Sequence, residues 1–218
     1  MKIVKPSHKI LSMPSRNSIL KFIESAGRTC YKSEEKITSN SAASFVKQII
    51  DSGHHSVIEH SNITVRFVCD RGVSHELVRH RLASYSQEST RYADYSRDKF
   101  GREITLIRPF FWAENSAEFL VWAEAMSKAE KAYMKLTASG ARPEEARTVL
   151  PNSLKTEIVM TCNIREWRHV LTLRCSTAAH PQMREITLPL LAELNQKLPE
   201  LFGNIFRQFK NDIENFVK

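Results

Sequence analysis

Three consecutive cationic or titratable side chains, Arg79, His80 and Arg81, open the stretch of this sequence best suited to chemistry. Ser84, Ser86, Ser89 and Thr90 then supply hydroxyls, Gln87 an amide and Glu88 a carboxylate, and Arg91 closes the run. Hydroxyls, backbone N–H groups and arginines are the usual partners of phosphate, and a guanidinium is a planar fork that donates two parallel hydrogen bonds. Successive helical residues point about 100° apart, so Arg79, His80 and Arg81 cannot all face one ligand from a regular helix, but they could serve two. The plainer reading is a helix end, whose dipole favours cations by about 0.3–1 kcal/mol each when exposed. That reading accounts for Arg-His-Arg but not for the hydroxyl run and the arginine beyond it.

The elements that must position this stretch are legible from periodicity. Residues 61–70 alternate, with Ile63, Val65, Phe67 and Cys69 on one face, which predicts a half-buried strand. A turn at Asp70-Arg71-Gly72 and a helix over 73–81 follow, and residues 84–91 read as a polar loop. Upstream, helices are expected over 16–26, with Ile19, Leu20, Phe22 and Ile23 apolar, and over 40–52, with Asn40 or Ser41 as cap and Gly53 as terminator. Downstream, 103–108 is a weaker strand candidate. The clearest helix is 116–139, where Phe119, Trp122, Met126, Ala129, Tyr133 and Leu136 form a core stripe ended by Gly140. Pro143 suits the first position of a short helix. Residues 154–162 predict a second long strand, and 164–175 and 182–201 predict helices, the latter with a kink at Pro189. Strands and helices are interspersed without strict alternation, so the expected fold is α+β: a mixed β-sheet packed with long helices, a single domain over 1–218, and not a Rossmann fold.

Bulk properties narrow the function. The 218 residues carry a formal net charge of +8, and eight arginines fall between Arg66 and Arg108, which favours anionic partners such as nucleotides. No apolar run approaches the roughly 18 residues of a membrane span, and the opening stretch lacks the apolar core of a signal peptide, so a cytoplasmic location is expected. Cys30, Cys69, Cys162 and Cys175 form no C-x-x-C pair and read as reduced, packing thiols.

The tripeptide Arg79-His80-Arg81, seven intervening residues, Ser89 and the trailing Thr90-Arg91-Tyr92 resemble the signature of the flavin-dependent thymidylate synthases. Gly53-His54-His55-Ser56-Val57-Ile58-Glu59-His60 is similar to that family's Gly-His segment. Gly140 to Arg147 with Leu150-Pro151 is similar to its second signature, so the likeness covers most of residues 20–190. The resemblance implies transfer of a one-carbon unit from 5,10-methylenetetrahydrofolate to C5 of dUMP, and reduction to methyl by FADH2 that NADPH regenerates. It further implies a homotetramer with active sites between subunits. By the same resemblance Glu76, Arg79, Gln87, Glu88, Ser89, Thr90, Arg91, Arg147 and Arg174 would contact dUMP. Ser56, Arg79, His80, Arg81, Gln87, Asn163, Arg165 and His169 would contact FAD, and no metal is implied.

Arg174 would carry the catalytic role. Uracil C5 is a poor carbon nucleophile until charge is pushed into the ring, and a fixed cation near N3 stabilises the anionic form at about 1.4 kcal/mol per pKa unit gained. Read without the resemblance, Arg174 is a charge at a helix C-terminus. Three positions depart from the family pattern: Glu76 stands where a neutral Gln is common, His169 where an Asn contact is common, and His180 lies in a stretch, Ser176–Pro181, longer than in some members.

Two rival readings draw on other residues. His54, His55, Glu59 and His60 suggest a metal-dependent hydrolase, but no H-E-x-x-H occurs, and His55-Ser-Val-Ile-Glu59-His60 has one residue too many for H-x-x-E-H. The basic middle with Tyr85, Tyr92 and Tyr95 suggests stacking on a nucleic acid polymer, a partner that the apolar patterning disfavours.

Overall fold

The computed structural model describes residues 1–216. Six strands and nine helices occur among them: β1 (Lys2–Val4), β2 (Ser7–Ser12), α1 (Arg16–Thr29), α2 (Ser41–Asp51), β3 (Asn62–Asp70), α3 (Arg71–Leu77), β4 (Ala83–Gln87), β5 (Thr105–Ile107), α4 (Ala117–Ala138), α5 (Pro143–Ala146), β6 (Lys155–Asn163), α6 (Ile164–Arg174), α7 (Pro181–Lys197), α8 (Pro199–Gln208) and α9 (Lys210–Phe216). Four strands form a sheet in the order β2-β3-β6-β4, and β1 pairs with β5 in parallel, Ile3 opposite Leu106. The architecture is the expected α+β class. The described chain divides into two compact units, one of residues 1–7, 67–79 and 85–159, the other of residues 8–66, 80–84 and 160–216.

The two long strands follow from their alternation. In β3 Ile63, Val65, Phe67 and Cys69 are buried, and in β6 Thr156, Ile158, Met160 and Cys162 are buried, while the residues between them are half-buried or exposed. In the first unit the core gathers Phe119, Trp122 and Tyr133 of α4 with Tyr95, Ile104, Leu106 and Leu154. Met126 packs at the edge of that core and Leu136 is exposed, so the predicted stripe is correct in its centre and frays at its end. Gly140, at φ +93°, terminates this helix in a backbone region that L side chains rarely adopt. In the second unit α7 packs on α6, α8 and α9, and α2 on α1 and α8. The buried indole of Trp167 on α6 donates to the Ile63 carbonyl at 2.9 Å. Gly53, at φ +72°, follows α2 as its spacing predicts.

Four expectations need correction. No separate turn intervenes at 70–72: Asp70 is the N-cap of α3, its Oδ1 accepting from the Val73 N–H at 2.7 Å, so the strand passes directly into the helix. That helix stops at Leu77, before Arg79, and residues 83–87 are not loop but β4, a polar strand formed beside β6. The chain does not form one helix over 182–201. Helix α7 continues through Pro189 and breaks at Leu198, whose φ −139° and ψ 61° lie outside the helical region because Pro199 follows and opens α8.

All four cysteines are thiols, three of them buried. Burial pushes Cys69 and Cys162 well above the ordinary thiol range and Cys175 up to about 12, so these three are poor nucleophiles, in keeping with packing roles.

Candidate active site

In the first unit the 88–92 stretch meets the short helix α5 and the 3-10 turn Arg147–Val149 that follows it. Pro143 starts α5 as expected, and Arg147 then donates through Nη1 to Oγ1 of the buried Thr90 at 3.4 Å. The Ser89 hydroxyl accepts from the Arg91 N–H at 3.3 Å. The Arg91 guanidinium is exposed, lies 3.6 Å from the Glu144 carboxylate and sits over the Tyr92 ring. An exposed pair of this kind is worth roughly 0–1 kcal/mol, so Glu144 holds Arg91 only weakly. Ser89, Thr90, Arg91 and Arg147 thus converge as the sequence reading expects.

Gln87 and Glu88 have structural duties alongside. Gln87 donates from Nε2 to Ser74 Oγ at 2.8 Å and to Thr156 Oγ1 at 3.2 Å. The two oxygens of Glu88 are taken by Tyr95 (3.3 Å) and Lys155 (3.1 Å), at the wall of a cavity of about 340 Å³. The Glu88 carboxylate is therefore already engaged within the protein. Glu76 sits on α3, and Arg79 is exposed just beyond that helix.

In the second unit α6 carries most of the predicted flavin contacts. Asn163 is its N-cap, Oδ1 accepting from the Glu166 N–H at 2.9 Å, so its side-chain oxygen is committed to the helix. Arg165 pairs with Glu59 at 2.5 Å and, with Ser56, His54, His55 and Tyr31, lines a cavity of about 380 Å³. Burial, then the charges of Arg168 and Arg165, holds the His55 imidazole below its ordinary range and so neutral. Arg81 and His169 are exposed, whereas His80 is only 6% exposed.

Both nitrogens of the His80 ring face protein side chains. Arg174 Nε donates to Nε2 at 2.9 Å, and Nδ1 lies 3.4 Å from Glu166 Oε1. The His169 ring meets it edge-on at 5.8 Å. Burial first, then the charges of Arg174 and His169, lowers the His80 pKa to about 4, so the ring is neutral and the Glu166 contact is not an ion pair. One ligand atom each from His80, Glu166 and His169 lies within 4.8 Å of the others. A cation is poorly suited there, since His80 Nε2 already accepts from a guanidinium. His54, His55, Glu59 and His60, the four of the hydrolase reading, are not a converging ligand set among the described residues.

Glu166, Lys155 and Glu144 are contacts that sequence reasoning misses. For Glu166 a faint signal exists: Asn163-x-x-Glu166 has the spacing of a helix capping box, which marks the helix start but says nothing of His80. The nucleic-acid reading loses its platforms: Tyr95 is buried, Tyr85 donates to the Leu77 carbonyl at 2.7 Å, and Tyr92 alone of the three is widely exposed.

The first unit thus gathers hydroxyls and arginines at residues 89–91 and 147, and the second holds a guanidinium against a buried neutral imidazole, within an α+β fold. Comparison with known proteins gives the family. The model of the thymidylate synthase complementing protein family matches residues 15–200. A flavin-dependent thymidylate synthase of Geobacter sulfurreducens is 35% identical over 184 residues, covering 81% of this chain and 78% of that one. One from Pyrococcus abyssi is 32% identical over 167 residues, covering 76% and 68%. A solved UMP/dUMP methylase, PolB from Streptomyces cacaoi bound with 5-Br dUMP, superposes with a TM-score of 0.74 at 22% identity, covering 96% of this chain and 98% of that one, a likeness of fold. The chain belongs to the thymidylate synthase complementing protein family, and it is an enzyme of the flavin-dependent thymidylate synthase type.

Proposed function

We propose that the chain forms dTMP from dUMP, taking the one-carbon unit from 5,10-methylenetetrahydrofolate and reducing it with FADH2 that NADPH regenerates. Residues 1–218 act as one catalytic domain, in a cytoplasmic homotetramer with active sites between subunits. Among the described residues no helix is long and apolar enough to cross a membrane.

The observation that carries the reading is the meeting of Arg147 with Thr90 beside Ser89 and Arg91. Two arginines, two hydroxyls and the backbone N–H groups between them suit the dianionic phosphate of a nucleoside monophosphate. Gln87, Glu88 and Glu76 border the nucleotide, and Arg79 adds a cation. Arg174 supplies a permanent cation, held in one orientation, to stabilise negative charge developing in the pyrimidine. The chemistry of the donor set around Ser56 and Arg165 fits a flavin nucleotide: a hydroxyl, a guanidinium and imidazoles lining a cavity of about 380 Å³ that takes part of so large a molecule. Arg81, Asn163 and His169 complete the proposed flavin contacts, and His80 contributes by holding Arg174. A reduced flavin, when bound, supplies the hydride; the residues here bind, orient and stabilise charge.

The test is direct. The purified protein is expected to be yellow, to release FAD on denaturation, and to form dTMP from dUMP when given methylenetetrahydrofolate and NADPH. A colourless protein that takes up no added FAD refutes the reading.

A further inference from the structure

Glu166 and His80 are buried polar residues of the second unit that the reaction outlined above leaves with no chemical step. Glu166 is 6% exposed, near the start of α6, and His80 is 94 residues from Arg174 in sequence yet 2.9 Å from its Nε. Burying two such groups is costly unless each finds a partner, and here each faces the other.

The protonation pattern follows from the contacts alone. A guanidinium can only donate, so the ring nitrogen facing Arg174 must carry a lone pair. In a neutral imidazole the other nitrogen then bears the proton. Glu166 Oε1 lies 3.4 Å from that nitrogen, Nδ1, a separation long for a hydrogen bond but short enough for the carboxylate to attract its proton. Were the tautomer reversed, two N–H groups would oppose each other at the Arg174 contact. Because the guanidinium is planar, fixing the direction of its Nε–H fixes the plane of the whole fork and the edge it presents.

We propose that Glu166 is a positioning residue: by accepting the Nδ1 proton of His80 it selects the tautomer whose Nε2 holds Arg174 in its working orientation. The proposal rests on the role given to Arg174 under the proposed function. The order of action is carboxylate, imidazole, guanidinium, with no proton moved and no metal required. His169 meets the same ring edge-on.

The tautomer can be read without activity. Nitrogen-15 NMR of the histidine-labelled enzyme as purified is expected to show a neutral His80 ring protonated at Nδ1, and a ring protonated at Nε2 overturns the proposal. Kinetics supply the second arm. Glu166→Ala is expected to lower kcat for dTMP formation by between about tenfold and about a hundredfold, with flavin content and the KM for dUMP little changed. Glu166→Gln, whose amide oxygen still accepts from Nδ1, restores most of the rate. In an Arg174→Lys background, which lacks the Nε–H, Glu166→Ala should cause no further loss. Equal losses in the two backgrounds, or a Glu166→Ala rate near wild type, overturn it. Should the wild-type enzyme make no dTMP, the proposed function fails while the NMR arm still decides the tautomer, so the two failures are distinguishable.

Discussion

Lowering the pH should destabilise this protein through one imidazole, and the size of the effect follows from its surroundings. His80 is held neutral in the fold, its pKa lowered from the ordinary 6.5 to about 4 by burial and by the neighbouring charges of Arg174 and His169. Unfolding releases the ring to water, where it takes up a proton below about 6.5. Between those two values the unfolded chain binds more protons than the folded one, so stability falls as pH falls. Above the window both states are neutral, and below it both are charged, so the His80 contribution is flat on either side. At about 1.4 kcal/mol per pKa unit the full window is worth roughly 3 kcal/mol at most, a large share of a typical domain's stability. Glu166 acts in the opposite sense, since burial raises its carboxyl pKa, and it must be kept in the comparison. The assay is urea unfolding of wild type and His80→Gln at pH 7 and pH 4.5. The Gln oxygen can still accept from Arg174, but the side chain does not titrate. Wild type is expected to lose about 2–3 kcal/mol more than the variant over this range. Equal losses in the two proteins would refute the reasoning.

Three further outcomes follow from single contacts. Arg147→Ala removes the guanidinium beside Thr90 and should raise the KM for dUMP by about tenfold to a hundredfold, the worth of one charged hydrogen bond, with flavin content unchanged; an unaltered KM would take Arg147 out of the nucleotide site. Ser89→Ala should slow dTMP formation by about 10²-fold or less, as a lost positioning contact does, whereas complete loss with a covalent adduct trapped on wild-type Ser89 would make it a nucleophile. Asp70→Ala deletes the N-cap of α3 and should cost about 1 kcal/mol in urea unfolding, and a variant as stable as wild type would show that the cap contributes nothing.

The parts of the fold that burial alone dictates were legible in the sequence. Ile63, Val65, Phe67 and Cys69 alternate because one face of β3 must be dry, and Phe119, Trp122 and Tyr133 recur because one face of α4 must be. The polar strands were not legible. The residues of β2, Ser-His-Lys-Ile-Leu-Ser, are mostly exposed at the sheet edge, and β4, Ala-Ser-Tyr-Ser-Gln, reads as a loop until β6 is placed next to it. Pairing with a neighbour overrode local propensity there. The site divides the same way. Ser89, Thr90, Arg91 and Arg147 were found through a family resemblance, and the first three lie close enough in sequence to be read together. His80 is assigned to the flavin by the same resemblance, whereas its partners in the fold, Glu166 and Arg174, lie on a helix far along the chain. No local pattern records a contact of that kind.

The account stands most directly on Arg174. Arg174→Ala enzyme, purified beside wild type, should keep its flavin and an unchanged absorption spectrum. Its dTMP formation should fall by about 10²–10³-fold, the usual loss when a group that stabilises developing charge is removed. Turnover near that of wild type, with flavin retained, would contradict the claim that this guanidinium activates the pyrimidine.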